Sequence, residues 1–366
     1  LDRPEQIRLA EAQINLPAFL HSLMTPQPFG RLPDGTAIEK YTLRNAVGAS
    51  ADIITYGGII TALRMPDDHG RFADVVLGFD DFDAYLAGHP YFGAIIGRIA
   101  GRVTAGRLQL PDGARQLALT DGPNHLHGGR VGFDKRVWSV QAASPASLRL
   151  FYRSPDGEEG YPGNLDVAVT YTLSDKNELV VASEAVSDCV TPLSLAQHSY
   201  FNLAGEGSGD VLDHTVQILA DEIVPAADRA MTLSGQRTPV AGTGNDLTQA
   251  RRLGEALPGL FRAHGENYLI RPTASAVPTL VARVTEPRSG RVMEVLTNDC
   301  CLQFYTGKAL DGTLTGKSGR CYVSHGGLCL ECQGYPDGAH RPDLGDILVH
   351  PGQSQRRTTL YAFSTA

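Results

Sequence analysis

The run Leu165-Asp166-Val167-Ala168-Val169-Thr170-Tyr171-Thr172-Leu173 alternates apolar and polar side chains, and Ser174-Asp175-Lys176-Asn177 separates it from a second extended run over 178–186. Two such runs joined by a turn signal specify an antiparallel hairpin, because an extended chain sends successive side chains to opposite faces. The same grammar recurs before the hairpin, over 38–43, 51–63, 75–79, 91–103, 108–110, 137–142 and 148–152. After it come 215–219, 267–270, 280–285, 291–296, 301–305, 328–333 and 358–363. Gly, Pro and Asp punctuate these runs, and only 17–23 and 247–257 read as helix. Crossover βαβ units need helices of about 10–15 residues between strands, and none are in place. The chain is therefore expected to be all-β, a large antiparallel β-sandwich. No fixed-period repeat or long linker divides it, so residues 28–366 are expected to form a single domain behind an N-terminal extension, 1–27.

Charge narrows the partners. With 32 Lys and Arg against 40 Asp and Glu, the formal charge is -8, and no basic run stands out. Nucleic acid and an anionic membrane surface are poor matches, which leaves a small molecule. No apolar run is long enough to span a bilayer. The opening residues lack a secretory pattern, and Met24 offers a second natural start. Cytoplasmic residence is expected, with periplasmic or secreted residence following if a leader has been removed. The six cysteines, all between 189 and 332, are expected to be reduced thiols rather than bridges. Cys329 and Cys332 flank a strand-like Leu330-Glu331, which favours a strand over a structural zinc site.

Five segments carry chemistry. In Pro192-Leu193-Ser194-Leu195-Ala196-Gln197-His198-Ser199-Tyr200-Phe201-Asn202, a strand-like apolar run delivers His198 among polar partners, either a core histidine or a catalytic acid. Gly93-Ala94-Ile95-Ile96-Gly97-Arg98-Ile99-Ala100-Gly101-Arg102 places two arginines on one side of an extended strand, as a surface pair or as forks for an oxygen-rich ligand. Asn124-His125-Leu126-His127-Gly128-Gly129 points two imidazoles the same way, suited to hydrogen bonding or acid catalysis more than to a metal. Asp156-Gly157-Glu158-Glu159-Gly160-Tyr161-Pro162-Gly163-Asn164 is a solvated loop or a pocket rim, with Tyr161 able to stack on a sugar face. Leu328-Cys329-Leu330-Glu331-Cys332-Gln333 sends Glu331 and Gln333 to one face, where a partly buried carboxylate suits a general base.

Taken collinearly with Phe29-Gly30, Gly132-Phe133-Asp134-Lys135 and Gln303-Phe304-Tyr305-Thr306-Gly307, these segments resemble the aldose 1-epimerase (galactose mutarotase) family from about Pro28 to the C-terminus. The resemblance implies a galactose mutarotase-like supersandwich that interconverts the α- and β-anomers of a free monosaccharide such as glucose or galactose, with no cofactor and no metal, as a monomer or homodimer. It implies His198 as the acid at the ring oxygen, Glu331 as the base at the anomeric hydroxyl and His127 assisting, with Arg102, Gln303 and Asn124 as sugar ligands. Two departures accompany it. Gly101 stands where the family has Asn, and Gly265 where it has Asp, so that Glu266 or His264 is expected to supply the second contact. The alternatives are a noncatalytic carbohydrate-binding protein and an epimerase of a phosphorylated hexose.

Overall fold

The computed structural model describes residues 24–227, 234–260, 266–270, 276–339 and 341–366; the helix expected over 17–23, and His264 with Gly265, lie outside them. Three antiparallel sheets carry the architecture. Strands Gln27–Arg31, Ala37–Arg44, Ser50–Ile54, Ile60–Pro66 and Phe72–Asp74 pair in chain order. The second sheet has nine strands, in the order Ser139–Ser144, Ser147–Ser154, Leu165–Leu173, Glu178–Ser187, Ser354–Thr365, Arg291–Thr297, Thr279–Thr285, Thr215–Ile218 and Arg251–Arg252. Its centre is the expected hairpin, registered from Leu165 opposite Ser187 to Leu173 opposite Leu179. The C-terminal strand then pairs on both sides and ties the chain end into the middle of the sheet. Strands Thr238–Pro239, Glu222–Val224, Glu266–Leu269, Cys301–Tyr305 and Cys329–Gln333 form the third sheet.

Period-two alternation decides what the sheets bury. Leu148, Leu150, Val167, Val169, Tyr171, Val181, Met293, Val295 and Tyr361 of the nine-stranded sheet share one buried cluster with Tyr41, Leu43 and Ile53 of the first sheet. Tyr268, Leu302, Phe304 and Leu330 of the third sheet complete it. This is a sandwich-like packing of apolar inner faces, each large side chain contributing about 1.5–3 kcal/mol by leaving water. Among the described residues, no helix is long and apolar enough to cross a membrane.

Three local expectations are corrected. The helix over 247–257 shrinks to Leu253–Ala256 and a 3₁₀ turn at Leu257–Gly259, because Arg251–Arg252 joins the large sheet before it and Pro258 lies in the tighter turn after it. A helix at Phe82–Ala87 went unread; Asp81 caps it by accepting the Ala84 N–H at 2.9 Å. The run 91–103 is not one strand: it forms strand only at Ile95–Ile96 and Arg102–Val103, with an isolated bridge from Ile99 to Ser194 and positive φ at Tyr91, Gly93 and Gly101 breaking the extended path.

Candidate active site

The third sheet turns its other face toward a cavity. Asn267 is registered opposite Gln303, and Gln303 opposite Glu331, so three polar side chains form one row across three strands. Their chain neighbours Tyr268, Phe304 and Leu330 point into the core. Tyr305 extends that face, and Arg102, Asp121, His127, His198 and the rings of Tyr91 and Tyr200, from outside the third sheet, close the cavity. Its volume is about 200 Å³, below the roughly 300–1,000 Å³ that drug-sized ligands occupy, so its occupant is small. A larger groove of about 780 Å³ beside Met24 and Trp138 offers no comparable acid–base set, its carboxylate Glu39 being held by the Tyr41 hydroxyl at 2.7 Å.

His198 follows the Ala196–Gln197 strand, which pairs with Ile95–Ile96. Its Nε2 lies 3.6 Å from Glu331 Oε2, and both side chains are buried. Burial disfavours each charged form: the Glu331 carboxyl is pushed up to about 8, an effect opposed by the Arg102 guanidinium, and the His198 imidazole is pushed down to about 4. Between those limits the pair holds a single proton.

His127 meets His198 edge to face at 5.4 Å between ring centres. Its backbone is left-handed, φ 51, as is that of Tyr91, φ 62, whose ring lies 4.6 Å from that of His127. Left-handed non-glycine residues cost of order 1–3 kcal/mol each, and both lie in the cavity wall. Gly128 allows the turn, since a Cβ there would sit 1.7 Å from the Gly97 carbonyl oxygen. The Gly101 N–H donates to His127 Nδ1 at 3.1 Å, so the neutral imidazole carries its proton on Nε2. Burial, then the neighbouring His198, hold His127 well below the usual histidine range. His127 is thus a fixed hydrogen-bond donor.

That tautomer bears on a metal. One ligand atom from each of His127, His198 and Glu331 lies within 4.8 Å of the others. A metal would need the lone pair of His127 Nε2, forcing the proton onto Nδ1 against the Gly101 N–H. The donor set does not fit a resident cation.

Arg102 lines the cavity with its Nε bonded to Asp121 Oδ2 at 2.6 Å. Gly101 has φ +78, and a Cβ would come within 2.6 Å of Pro336 Cγ, so the wall admits no side chain there. Other expected residues sit elsewhere. Glu266 is buried in the row of Phe304 and Leu330; the strand begins at Glu266, and alternation puts Asn267 in the cavity instead. Tyr161 is 1 % exposed and donates its hydroxyl to His125 Nε2 at 2.7 Å, because His125 Nδ1 donates to the Ala118 carbonyl. It stacks on no sugar. Buried Asn124 accepts the Ala105 N–H at 3.1 Å and shapes its loop from outside the cavity wall. The two histidines of that motif therefore part, one to the core and one to the cavity. Arg98 leaves Arg102 likewise: it is buried and gives six hydrogen bonds to Ser154, Pro155, Pro162, Gly163 and Thr191, anchoring the acidic loop as structure rather than pocket rim. Tyr91, Asp121, Asn267 and Tyr305 went unread; His-Pro-Tyr and Asp-Gly turn signals mark the first two.

All six cysteines are free thiols. Cys329 shares the cavity-side face of its strand with Glu331, while Cys332 belongs to the core cluster, so the two cannot share an ion.

The comparisons with known proteins agree with this geometry. A family model described as aldose 1-epimerase matches residues 39–362. Galactose mutarotase from Rattus norvegicus is 45% identical over 344 residues, covering 94% of this chain and 99% of the rat protein. The aldose 1-epimerase of Escherichia coli K12 is 31% identical over 338 residues, covering 90% and 96%. A solved aldose epimerase homologue from C. elegans superposes with a TM-score of 0.84 at 27% identity, covering 90% of this chain and all of that one. Galactose 1-epimerase from Lactobacillus acidophilus gives 0.79 at 28% identity, covering 93% and 98%. A buried acid–base pair in a monosaccharide-sized cavity, a family match along most of the chain and near-full-length relatives lead to one conclusion: this chain belongs to the aldose 1-epimerase family.

Proposed function

We propose that this enzyme interconverts the α- and β-anomers of a free aldose, with Glu331 as base and His198 as acid. The observation that carries the reading is the buried His198–Glu331 pair, 3.6 Å apart in the cavity, where burial raises the carboxyl and lowers the imidazole and so favours one proton between them. In its carboxylate–imidazolium form, Glu331 takes the proton of the anomeric hydroxyl while His198 Nε2–H protonates the ring oxygen. The ring C–O bond breaks, the carbonyl forms, and the pair is left as carboxylic acid and neutral imidazole. Rotation about the bond next to the carbonyl carbon by half a turn, followed by the reverse transfers, closes the ring on the other face. The two arrangements of one proton are the states needed before and after ring opening, so no net proton is taken up.

His127 Nε2–H supports the ring oxygen, and Arg102, Gln303 and Asn267 hold hydroxyl groups. Asn267 takes the role the sequence offered to Glu266. The wall's guanidinium, Arg102, is already paired with Asp121, which argues against a phosphate clamp and for a neutral sugar. Residues 28–366 act here as one domain.

Polarimetry of freshly dissolved α-glucose and α-galactose tests the mechanism. Glu331→Gln and His198→Asn are each expected to lower kcat by roughly 10²–10⁴-fold, with the fold retained. Wild-type rates in both variants would refute it.

A further inference from the structure

His198 works through Nε2, and what holds its other nitrogen decides whether Nε2 is free to carry a proton. Facing the ring are Glu331 on the Nε2 side, the stacked ring of Tyr200 at 5.2 Å, the rings of Tyr91 at 5.7 Å and His127 at 5.4 Å, and His89, whose own pKa feels the His198 charge. On the Nδ1 side stands the Cys329 thiol, Sγ to Nδ1 3.7 Å. Cys329 is fully buried on the strand that carries Glu331, and the Tyr200 hydroxyl is its second hydrogen-bonding partner.

Resting on the assignment of His198 as the proton carrier, we infer that Cys329 Sγ is a positioning acceptor that keeps a proton on His198 Nδ1. The direction of this hydrogen bond follows from the neighbourhood. The carbonyl of His198 itself also draws a proton to the ring, and that oxygen already accepts the Gly93 N–H at 3.0 Å. A proton on Nδ1 lets the ring face both acceptors, its own carbonyl oxygen and the sulfur, whereas a thiol donating to Nδ1 would turn a lone pair toward that oxygen; the inferred direction is Nδ1 as donor and sulfur as acceptor. Burial pushes the Cys329 thiol far above its ordinary range, so the acceptor is neutral at working pH.

The consequence is chemical. A carboxylate at Nδ1 would stabilise the imidazolium and weaken it as an acid; a neutral sulfur fixes the tautomer while leaving the acid strong. It also sets the two cavity histidines in opposite tautomers. His127 keeps Nε2–H as a permanent donor, because Nδ1 accepts from Gly101. His198, once it has protonated the ring oxygen, keeps Nδ1–H and an empty Nε2, ready to take that proton back on ring closure.

The test uses the full chain with ¹⁵N-labelled histidine. In the wild type at neutral pH, His198 should show a protonated Nδ1 and an unprotonated Nε2. In Cys329→Ala the population should move toward Nε2–H, kcat should fall roughly 10–100-fold, and KM should stay within about twofold. Cys329→Ser, which keeps an acceptor, should restore Nδ1–H and most of the turnover. An unchanged tautomer in Cys329→Ala, or a Ser variant matching Ala in both readouts, would overturn the inference. Should the tautomers behave as expected in a wild-type protein that does not equilibrate anomers, the positioning role stands and the catalytic reading fails.

Discussion

Glu331 occupies a place that disfavours its charge, and its pKa makes that a statement about stability. Its carboxyl ionises near 4.5 in the unfolded chain and at about 8 in the folded one. Below the first value both states are protonated and nothing is lost; as pH rises through the window, the unfolded state gives up its proton while the native state keeps it. Stability therefore falls between about 4.5 and 8. Glu331→Gln removes this penalty, so thermal melts should show the variant gaining on the wild type as pH climbs from 5 to 8, by on the order of a few kcal/mol at the upper end. A constant difference across that range would contradict the shift. At this scale the sequence was readable wherever a side chain's alternation and a motif agreed. Glu331, His198, Arg102, His127 and Gln303 all reach the cavity. Tyr161 and Asn124 were misread because a turn's residues look the same whether they meet solvent or a buried histidine, and only tertiary contact decides.

The strand Cys301–Tyr305 shows how one element serves two masters. Gln303 faces the cavity between Asn267 and Glu331, and the next residue, Phe304, is buried in the core. Substitutions one residue apart should separate completely. Phe304→Ala is expected to cost about 3–5 kcal/mol in urea unfolding. Gln303→Ala should stay within about 1 kcal/mol and instead lower kcat/KM in polarimetry about tenfold, the worth of one good hydrogen bond. Equal effects on stability would mean the register is wrong. Strands such as Leu165–Leu173 and Cys301–Tyr305 were legible as they stand, since two-residue periodicity survives wherever one face is buried. The run 51–63 instead breaks into Ser50–Ile54 and Ile60–Pro66, 75–79 forms no strand, and the last strand is longer than 358–363. The segment 91–103 was not legible. Its apolar composition matches a strand, but left-handed backbone at Tyr91, Gly93 and Gly101 throws successive side chains in unrelated directions, Arg98 inward and Arg102 into the cavity.

Across the whole molecule, the cavity is assembled from Tyr91, Asp121, His198, Asn267 and Glu331, residues remote in sequence and brought together only when the third sheet closes against the loops that precede it. No local pattern encodes that meeting, so the fold class could be read early while the wall of the site, Asp121 and Asn267 included, could not. Asp121 has one more consequence. Its carboxylate cancels Arg102 at 2.6 Å, and in the proposed mechanism the His198–Glu331 pair, 3.6 Å apart, trades a single proton through an uncharged sugar. Charge is conserved inside the cavity at every stage, and the ligand is drawn in by no field. Dissolved ions therefore have nothing to screen: kcat/KM should hold within about twofold between roughly 20 and 500 mM sodium chloride, a range over which electrostatically steered encounters slow steeply. A salt series followed by polarimetry measures this directly, and a tenfold decline would mean that a bare charge greets the sugar after all.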